Sequence, residues 1–277
     1  MFMKRILILI SLVFMCLTAF SQTEKAAVLI VHFGTSEAEG RALSLDAVNR
    51  DVKAAFPELE VRQAYASGII RKKLEKEGLK IQGLQEALMQ LCADGYQQVY
   101  VQSSTLMEGI EMSNIRETAN EFKSFFKTIK VGNPLLYSVE DCRKVLEILT
   151  DEPAEKNQGV VLIGHGTTHP STATYAMLQM MLREKGLDAW FVSTIEGYPT
   201  QEMTINDLKH TKAKRVLLRP LLLTAGDHAR NDIAKEWKSF FEQQGYEVSV
   251  KLQGLGELPA IRAMYVEHIR EMIDEVK

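Results

Sequence analysis

The chain has 277 residues, 46% hydrophobic and 25% charged, which is the composition of a folded globular protein rather than a disordered or fibrous one. Lys and Arg number 33 against 36 Asp and Glu, for a formal charge of −3. No basic run interrupts this balance, so nothing favours a nucleic-acid partner.

In chain order, the first feature is the basic start MFMKR followed by the apolar stretch ILILISLVFMCL at 6–17. That stretch is short for a membrane span, and the chain then turns polar. Ala19 and Ser21 supply the small residues of a cleavage site before Gln22. Residues 1–21 therefore read as an export signal. The expected mature protein is periplasmic, with no stable membrane insertion. Cys92 and Cys142 fall on separate predicted helices away from any histidine motif and are expected to act as small hydrophobes.

Short apolar runs then alternate with helical periodicity. Strands are predicted near 26–33, 60–66, 97–103, 129–132, 159–164, 189–195, 214–223 and 246–252. Between them lie amphipathic patterns such as Ile261, Tyr265, Ile269 and Ile273 on one face. Alternating strands and helices predict an α/β fold of parallel sheets with helices on both faces. The polar stretch TDEPAEKNQG at 150–159 marks the seam. It separates an N-terminal α/β domain, 22–150, from a C-terminal one, 151–277, that carries the candidate metal site.

The two halves echo each other. AVLIVHFGTS at 27–36 aligns with VVLIGHGTTH at 160–169, setting His32 opposite His165. YASG at 65–68 aligns with TIEG at 194–197, setting Ser67 opposite Glu196. VYVQSSTLMEGIE at 99–111 aligns with VLLRPLLLTAGDH at 216–228, setting Glu111 opposite His228.

Ligands of open parallel sheets bind beyond the carboxyl ends of the strands. Three polar residues of the second half stand at such ends: His165, Glu196 and His228. A single histidine after a strand is more often a hydrogen-bonded structural residue, and a single glutamate is usually solvated. Three such groups at three strand ends shift the balance toward a site. Two imidazoles and a carboxylate can bind a divalent transition metal with positions left open, and can accept protons near neutral pH. Gly164 and Gly166 would let a large planar ligand approach closely, and Gly226 would turn the chain so that His228 points inward. His169, before Pro170, reads as a helix start. His210 and His268 read as solvated, and Met177, Met180 and Met181 as core. No HExxH, GxSxG, GxxxxGK[ST] or strand-following GxGxxG is present, so a zinc protease, a hydrolase of that type and a nucleotide cofactor are not expected.

The segments VHFGTS, SGIIRKKL, GYQQVYVQS, GHGTTH, EGYP, LLLTAGDHARND and GLGELPAIRAMYVEHI occur in the order found in anaerobic cobalt chelatases. The chain resembles that family from about residue 27 to 270. The resemblance implies the class II chelatase fold, two Rossmann-like domains of parallel sheets flanked by helices with a tetrapyrrole cleft between them, and insertion of Co2+ into sirohydrochlorin during cobalamin synthesis. It also implies a metal site of two histidines and a glutamate, which match His165 in GHGTTH, Glu196 in EGYP and His228 in AGDHARND. Fe2+ or Ni2+ would suit the same donors. Ferrochelation of sirohydrochlorin or a porphyrin is thus one alternative, and a periplasmic tetrapyrrole- or metal-binding protein without turnover is another.

The substrate's carboxylates would need cations. Arg71, Lys72 and Lys73 come after the second strand, while Arg219 and Arg230 flank His228; Arg71 and Arg230 are the preferred contacts. The sequence departs from the family at two places. His32 stands where cytoplasmic members often have serine, and is either a fourth cleft ligand or a hydrogen-bonded strand-end residue. Thr105 stands where they often have histidine. In some periplasmic relatives a histidine there ligates haem between subunits, so haem is not expected at Thr105. A homo-oligomer is compatible with all of this.

Overall fold

The computed structural model describes residues 24–275; the expected export signal, 1–21, lies outside the described residues. Among the described residues, eight strands form two four-stranded sheets. The first contains β1 (Ala26–His32), β2 (Glu60–Tyr65), β3 (Gln98–Ser103) and β4 (Thr128–Val131), in the order β2-β1-β3-β4. The second contains β5 (Gln158–Gly164), β6 (Trp190–Thr194), β7 (Arg215–Pro220) and β8 (Glu247–Val250), in the order β6-β5-β7-β8. Every pairing is parallel. The central strands β1 and β5 are buried from their second residue onward, which is why they read as unbroken apolar runs rather than alternating ones. The edge strands β4 and β8 are four residues long and only partly buried.

The main helices that connect and cover the sheets are α1 (Asp46–Ala55), α2 (Gly68–Lys76), α3 (Leu84–Ala93), α4 (Ile110–Glu121), α5 (Val139–Thr150), α6 (Ala173–Glu184), α7 (Gln201–Lys209), α8 (Lys238–Gln243) and α9 (Pro259–Asp274). Their starts obey the sequence chemistry. Ser67 and Thr200 accept backbone N–H bonds at the heads of α2 and α7, Ser138 and Asp141 form a capping box on α5, and Pro259 opens α9. Two π-helical stretches are not foreseen by periodicity: Arg41–Leu45 runs into α1, and Ala229–Trp237 runs into α8.

The sheets fall on either side of residue 150, but the helices do not keep to that boundary. Helix α9 packs on α1 and β3 of the first half, and α5 packs on α6 of the second. One core cluster accordingly joins Val28 and Ile30 of β1, Val160 and Leu162 of β5, and Tyr265 and Ile269 of α9. The buried Tyr265 hydroxyl donates to the Ser104 carbonyl at 2.9 Å, and Arg262 Nε lies 2.5 Å from Asp51 Oδ2. His268, expected to be solvated, is buried on α9 with Nε2 3.2 Å from Asp141 Oδ1 of α5. The polar face that periodicity assigns to it is covered because α9 crosses back over the first half.

His32 also departs from its reading as a substrate contact. It ends β1 fully buried, with Nδ1 2.8 Å from Ser104 Oγ and Nε2 2.9 Å from Asn49 Oδ1, and with the Tyr65 ring edge-on at 5.9 Å. Asn49 Oδ1 can only accept, so Nε2 carries the hydrogen and Nδ1 accepts from Ser104. Neither nitrogen is left for a ligand; His32 is a hydrogen-bonded strand-end residue. Burial pushes its pKa down from 6.5 to about 4, and the Asn49 bond offsets part of that shift. Between those values the unfolded chain binds a proton that native His32 does not. The stability contributed by His32 is therefore complete above pH 6.5 and is lost as pH falls toward 4. Urea unfolding of the wild type and of His32→Gln at about pH 7.5 and about pH 4.5 should show the wild type losing roughly 2–3 kcal/mol more than the variant. Equal losses would refute this account of the buried imidazole.

Candidate metal centre

In a sheet ordered β6-β5-β7-β8, the chain leaves β5 toward one edge and crosses to the other side of it at β7. The crevice of such a sheet opens beyond the carboxyl ends of these two neighbours. His165 is the first residue after β5, and His228 closes the loop that succeeds β7. Although 63 positions apart in sequence, their rings stand edge to face with centroids 4.7 Å apart.

Local backbone geometry holds His165 in place. Gly164 is needed for the protein's own packing rather than for a ligand, because a Cβ there would come within 2.3 Å of the Tyr175 ring. The Tyr175 hydroxyl in turn accepts from the Gly166 N–H at 3.2 Å, and burial raises its pKa. Gly166 has φ +91°, and a Cβ on it would lie 1.4 Å from the Glu196 carbonyl oxygen. Its clearance therefore admits the neighbouring backbone, not a planar guest. The same close approach lets Ile195 N–H bond to Gly164 O at 2.9 Å and Glu196 N–H to His165 O at 2.8 Å. Glu196 is thus tied by its main chain directly beside His165, while its side chain is exposed.

His228 immediately precedes the π-helical stretch Ala229–Trp237. Its Nδ1 is 2.6 Å from Asp232 Oδ2, and its side chain remains 53% exposed. The Nδ1 of His165 lies 3.1 Å from the Gly166 carbonyl oxygen. A carboxylate and a carbonyl oxygen can only accept, so both rings carry hydrogen on Nδ1, and in the neutral imidazole Nε2 is the lone-pair nitrogen. Neither Nε2 has a hydrogen-bond partner among the described residues. Asp232 escaped the sequence reading; the available signal was its spacing of four from His228 within HARND.

Among the described residues, no group of three or more His, Cys, Asp and Glu side chains lies close enough to hold a metal ion. The structure brings His165 and His228 together and sets the backbone of Glu196 beside them, with the Glu196 carboxylate left exposed.

The remaining expected contacts are spread more widely. Arg71 is not brought to the pair: its guanidinium lies over Gly83, at the head of α3, with Nη1 3.5 Å from Glu86. Arg230 lies two residues after His228, and its Nη2 is 2.6 Å from Glu39 of the first half, so it ties the halves together. Gly226 faces Thr35 of the first half, whose Oγ1 would lie 3.2 Å from an added Cβ. Thr105 lies just after β3, with its hydroxyl 3.0 Å from Ser103 Oγ. His169 accepts from Ser171 N–H at the head of a 3-10 turn, and His210 is exposed.

The segments that follow β1, β2, β3 and β6 carry exposed apolar side chains: Phe33 and Tyr198 on loops, Ile69 in the first turn of α2 and Ile110 at the start of α4. Two other hollows, one lined by Arg183, Asp207 and His210 and one by Phe56, Tyr100 and Arg270, contain neither histidine of the pair.

The chain is similar to known proteins along nearly its whole length. It is 35% identical over 257 residues to the sirohydrochlorin cobaltochelatase of Salmonella typhimurium, covering 90% of this chain and 97% of that one. It is 28% identical over 254 residues to the sirohydrochlorin cobaltochelatase CbiKC of Nitratidesulfovibrio vulgaris, covering 88% and 89%. Among solved structures, SirB from Bacillus subtilis with Fe3+ superposes with a TM-score of 0.64 at 17% identity, over 89% of this chain and 95% of that one. The sirohydrochlorin chelatase SirB of Bacillus subtilis subspecies spizizenii in complex with cobalt gives 0.61 at 15% identity, over 91% and 96%. At such identities the two structures speak to the fold, which they share with this chain. The family model for cobalt chelatase (CbiK) matches residues 26–274, and the chain belongs to that family.

Proposed function

We propose that this chain is a sirohydrochlorin cobaltochelatase whose metal substrate is held by His165, His228 and Glu196. The observation that carries the reading is the facing pair of imidazoles at the switch point of the second sheet, each with Nε2 free. It rests equally on the membership of a cobalt chelatase family and on the two similar cobaltochelatases.

Insertion requires a macrocycle to surrender two inner N–H protons while a hydrated cation loses water. A protein assists by positioning the ring, accepting protons and holding the metal with part of its hydration replaced. His165 and His228 offer two nitrogen donors from one side. Glu196, fixed by its backbone and free in its side-chain torsions, turns its carboxylate inward to complete the set and to neutralise metal charge. As the metal passes to the ring, His165 accepts a pyrrole proton at Nε2 and Glu196 relays the second outward. Nitrogen and oxygen donors suit this transfer because they bind Co2+ without the grip thiolates exert on softer metals. Phe33, Ile69, Ile110 and Tyr198 give the flat ring apolar surface, and the exposed Lys72 and Lys73 give its carboxylates cations, Arg230 being held by Glu39.

The donor set suits Fe2+ as well, which keeps a ferrochelatase on sirohydrochlorin or a porphyrin as the second reading. Anaerobic assay of the mature chain with sirohydrochlorin and Co2+, Fe2+ or Ni2+, followed by absorbance, separates the possibilities. The expected result is multiple turnover above the protein-free rate, fastest with Co2+. One equivalent of ligand bound without turnover would instead identify a carrier.

His165→Ala and His228→Ala should each reduce Co2+ insertion by about 100-fold or more with thermal unfolding unchanged, and Glu196→Gln should fall in the same direction. Thr105→Ala should stay near wild type. Wild-type rates in both histidine variants would remove the proposed site. We further propose that the protein is exported and works in the periplasm. Mass spectrometry of material from a periplasmic extract should find Gln22 as the first residue; an intact Met1 in the cytoplasmic fraction would refute export.

A further inference from the structure

We infer that Asp232 is a positioning residue for metal capture, acting through His228; this rests on the reading of His228 as a metal ligand. The structure gives Asp232 a single task. Its neighbours are occupied with one another: Arg230 with Glu39, Asn231 with Asp227, and Lys235 with Asn231. Among the described residues, the only ion pair of Asp232 is with His228, at 2.6 Å. The carboxylate is also the more buried partner, 25% exposed against 53% for the ring, so it sits behind an imidazole whose free edge faces outward.

This arrangement does two things. By accepting from Nδ1–H it fixes which ring nitrogen carries the hydrogen, so that Nε2 is always the donor presented to a cation. By its charge it makes that nitrogen a stronger donor than one backed by a neutral group. His165 is backed only by the Gly166 carbonyl, at 3.1 Å. The two imidazoles are therefore unequal: His228 is the ligand that captures and keeps the metal, and His165 is the one that releases it and turns to the pyrrole proton. Asp232 lies in the first turn of the π-helical stretch, near its positive end.

The test uses Co2+ alone with the mature apo protein, read by the intensity and position of the Co2+ visible bands as metal is titrated in. Asp232→Asn keeps an acceptor of nearly the same shape but removes the charge, whereas Asp232→Ala removes both. Co2+ affinity should fall by about 10-fold or more in Asn and further in Ala, within the roughly 10–100-fold range of such outer partners, with apo thermal unfolding unchanged for Asn. In a His228→Ala background, adding Asp232→Asn should change affinity by less than about twofold, because the residue it acts through is gone. If His228→Ala binds Co2+ as the wild type does, the metal-ligand reading itself falls. If His228→Ala is weakened but the Asp232 variants bind normally, only the positioning role falls. A full Asp232 effect that persists without His228 would also overturn it.

Discussion

The pairing of β5 with β7 is the constraint on which the rest of the centre depends. Because these strands lie side by side and parallel, with Ile163 opposite Pro220, the segments leaving their carboxyl ends must meet. The loop after β7 returns over the strand tips and delivers His228 to the ring of His165. The third side of the same crevice comes from β6, on the other flank of β5. There the missing Cβ of Gly166 lets the Glu196 backbone lie against the His165 turn. A substitution at Gly166 would act on the site through main-chain displacement, with no change in any polar group. Three segments far apart in sequence are thus registered on one strand, and the precision of the site is that of a hydrogen-bonded sheet rather than of a mobile loop.

The first half repeats the topology but not the chemistry. Its strands take the same order, and His32 holds in β1 the place His165 holds after β5. Yet Asn49 of α1 and Ser104 after β3 close over His32, leaving it buried and neutral, whereas His165 stays half-buried with one nitrogen open. The difference lies in the segment that succeeds the parallel partner strand. After β3 comes a serine whose carbonyl is tied to Tyr265 of α9; after β7 comes a loop ending in histidine. The exchange of α9 onto the first half therefore does more than add core: Tyr265 holds the backbone of Ser104, whose hydroxyl closes on His32. It also makes a single hydrophobic cluster of what the seam at residue 150 suggests are two.

Much of this was legible in the sequence, for identifiable reasons. Parallel strands buried on both faces must be apolar throughout, so VVLIG and AVLIV announce themselves, and their ends mark where ligands can sit. The run at 214–223 reads longer than the strand it contains because Leu221 stays buried after Pro220 ends the ladder, and burial of a loop looks the same as burial of a strand. Side-chain commitments were not legible. Arg71 follows the second strand, where a substrate contact is expected, yet Glu86 and Gly83, from a different element, claim its guanidinium. Gly164 reads as room for a guest, but the space is filled by Tyr175, eleven positions on. The π-helical stretches carry no signature in the apolar pattern that sets them apart from an α-helix, and Asp232 lies in one of them.

The inequality of the two imidazoles bears on how such a protein can both take up a metal and surrender it. A site with three firmly backed donors would hold a divalent ion against the macrocycle, and one with none would never collect it from solution. Of the three proposed donors, one is anchored by a carboxylate, one by a neutral carbonyl, and the third is a carboxylate with its main chain fixed and its side chain exposed. In the proposed cycle these differences order the steps. His228 acts first as the fixed point. Glu196 closes to balance charge while water leaves, and His165 exchanges metal for proton as the ring nitrogens take over. That order requires the weakly anchored imidazole to lie at the end of a strand flanked on both sides, where the sheet fixes its position and the proposed bond to metal is what changes. His165, at the tip of β5 between β6 and β7, meets that requirement.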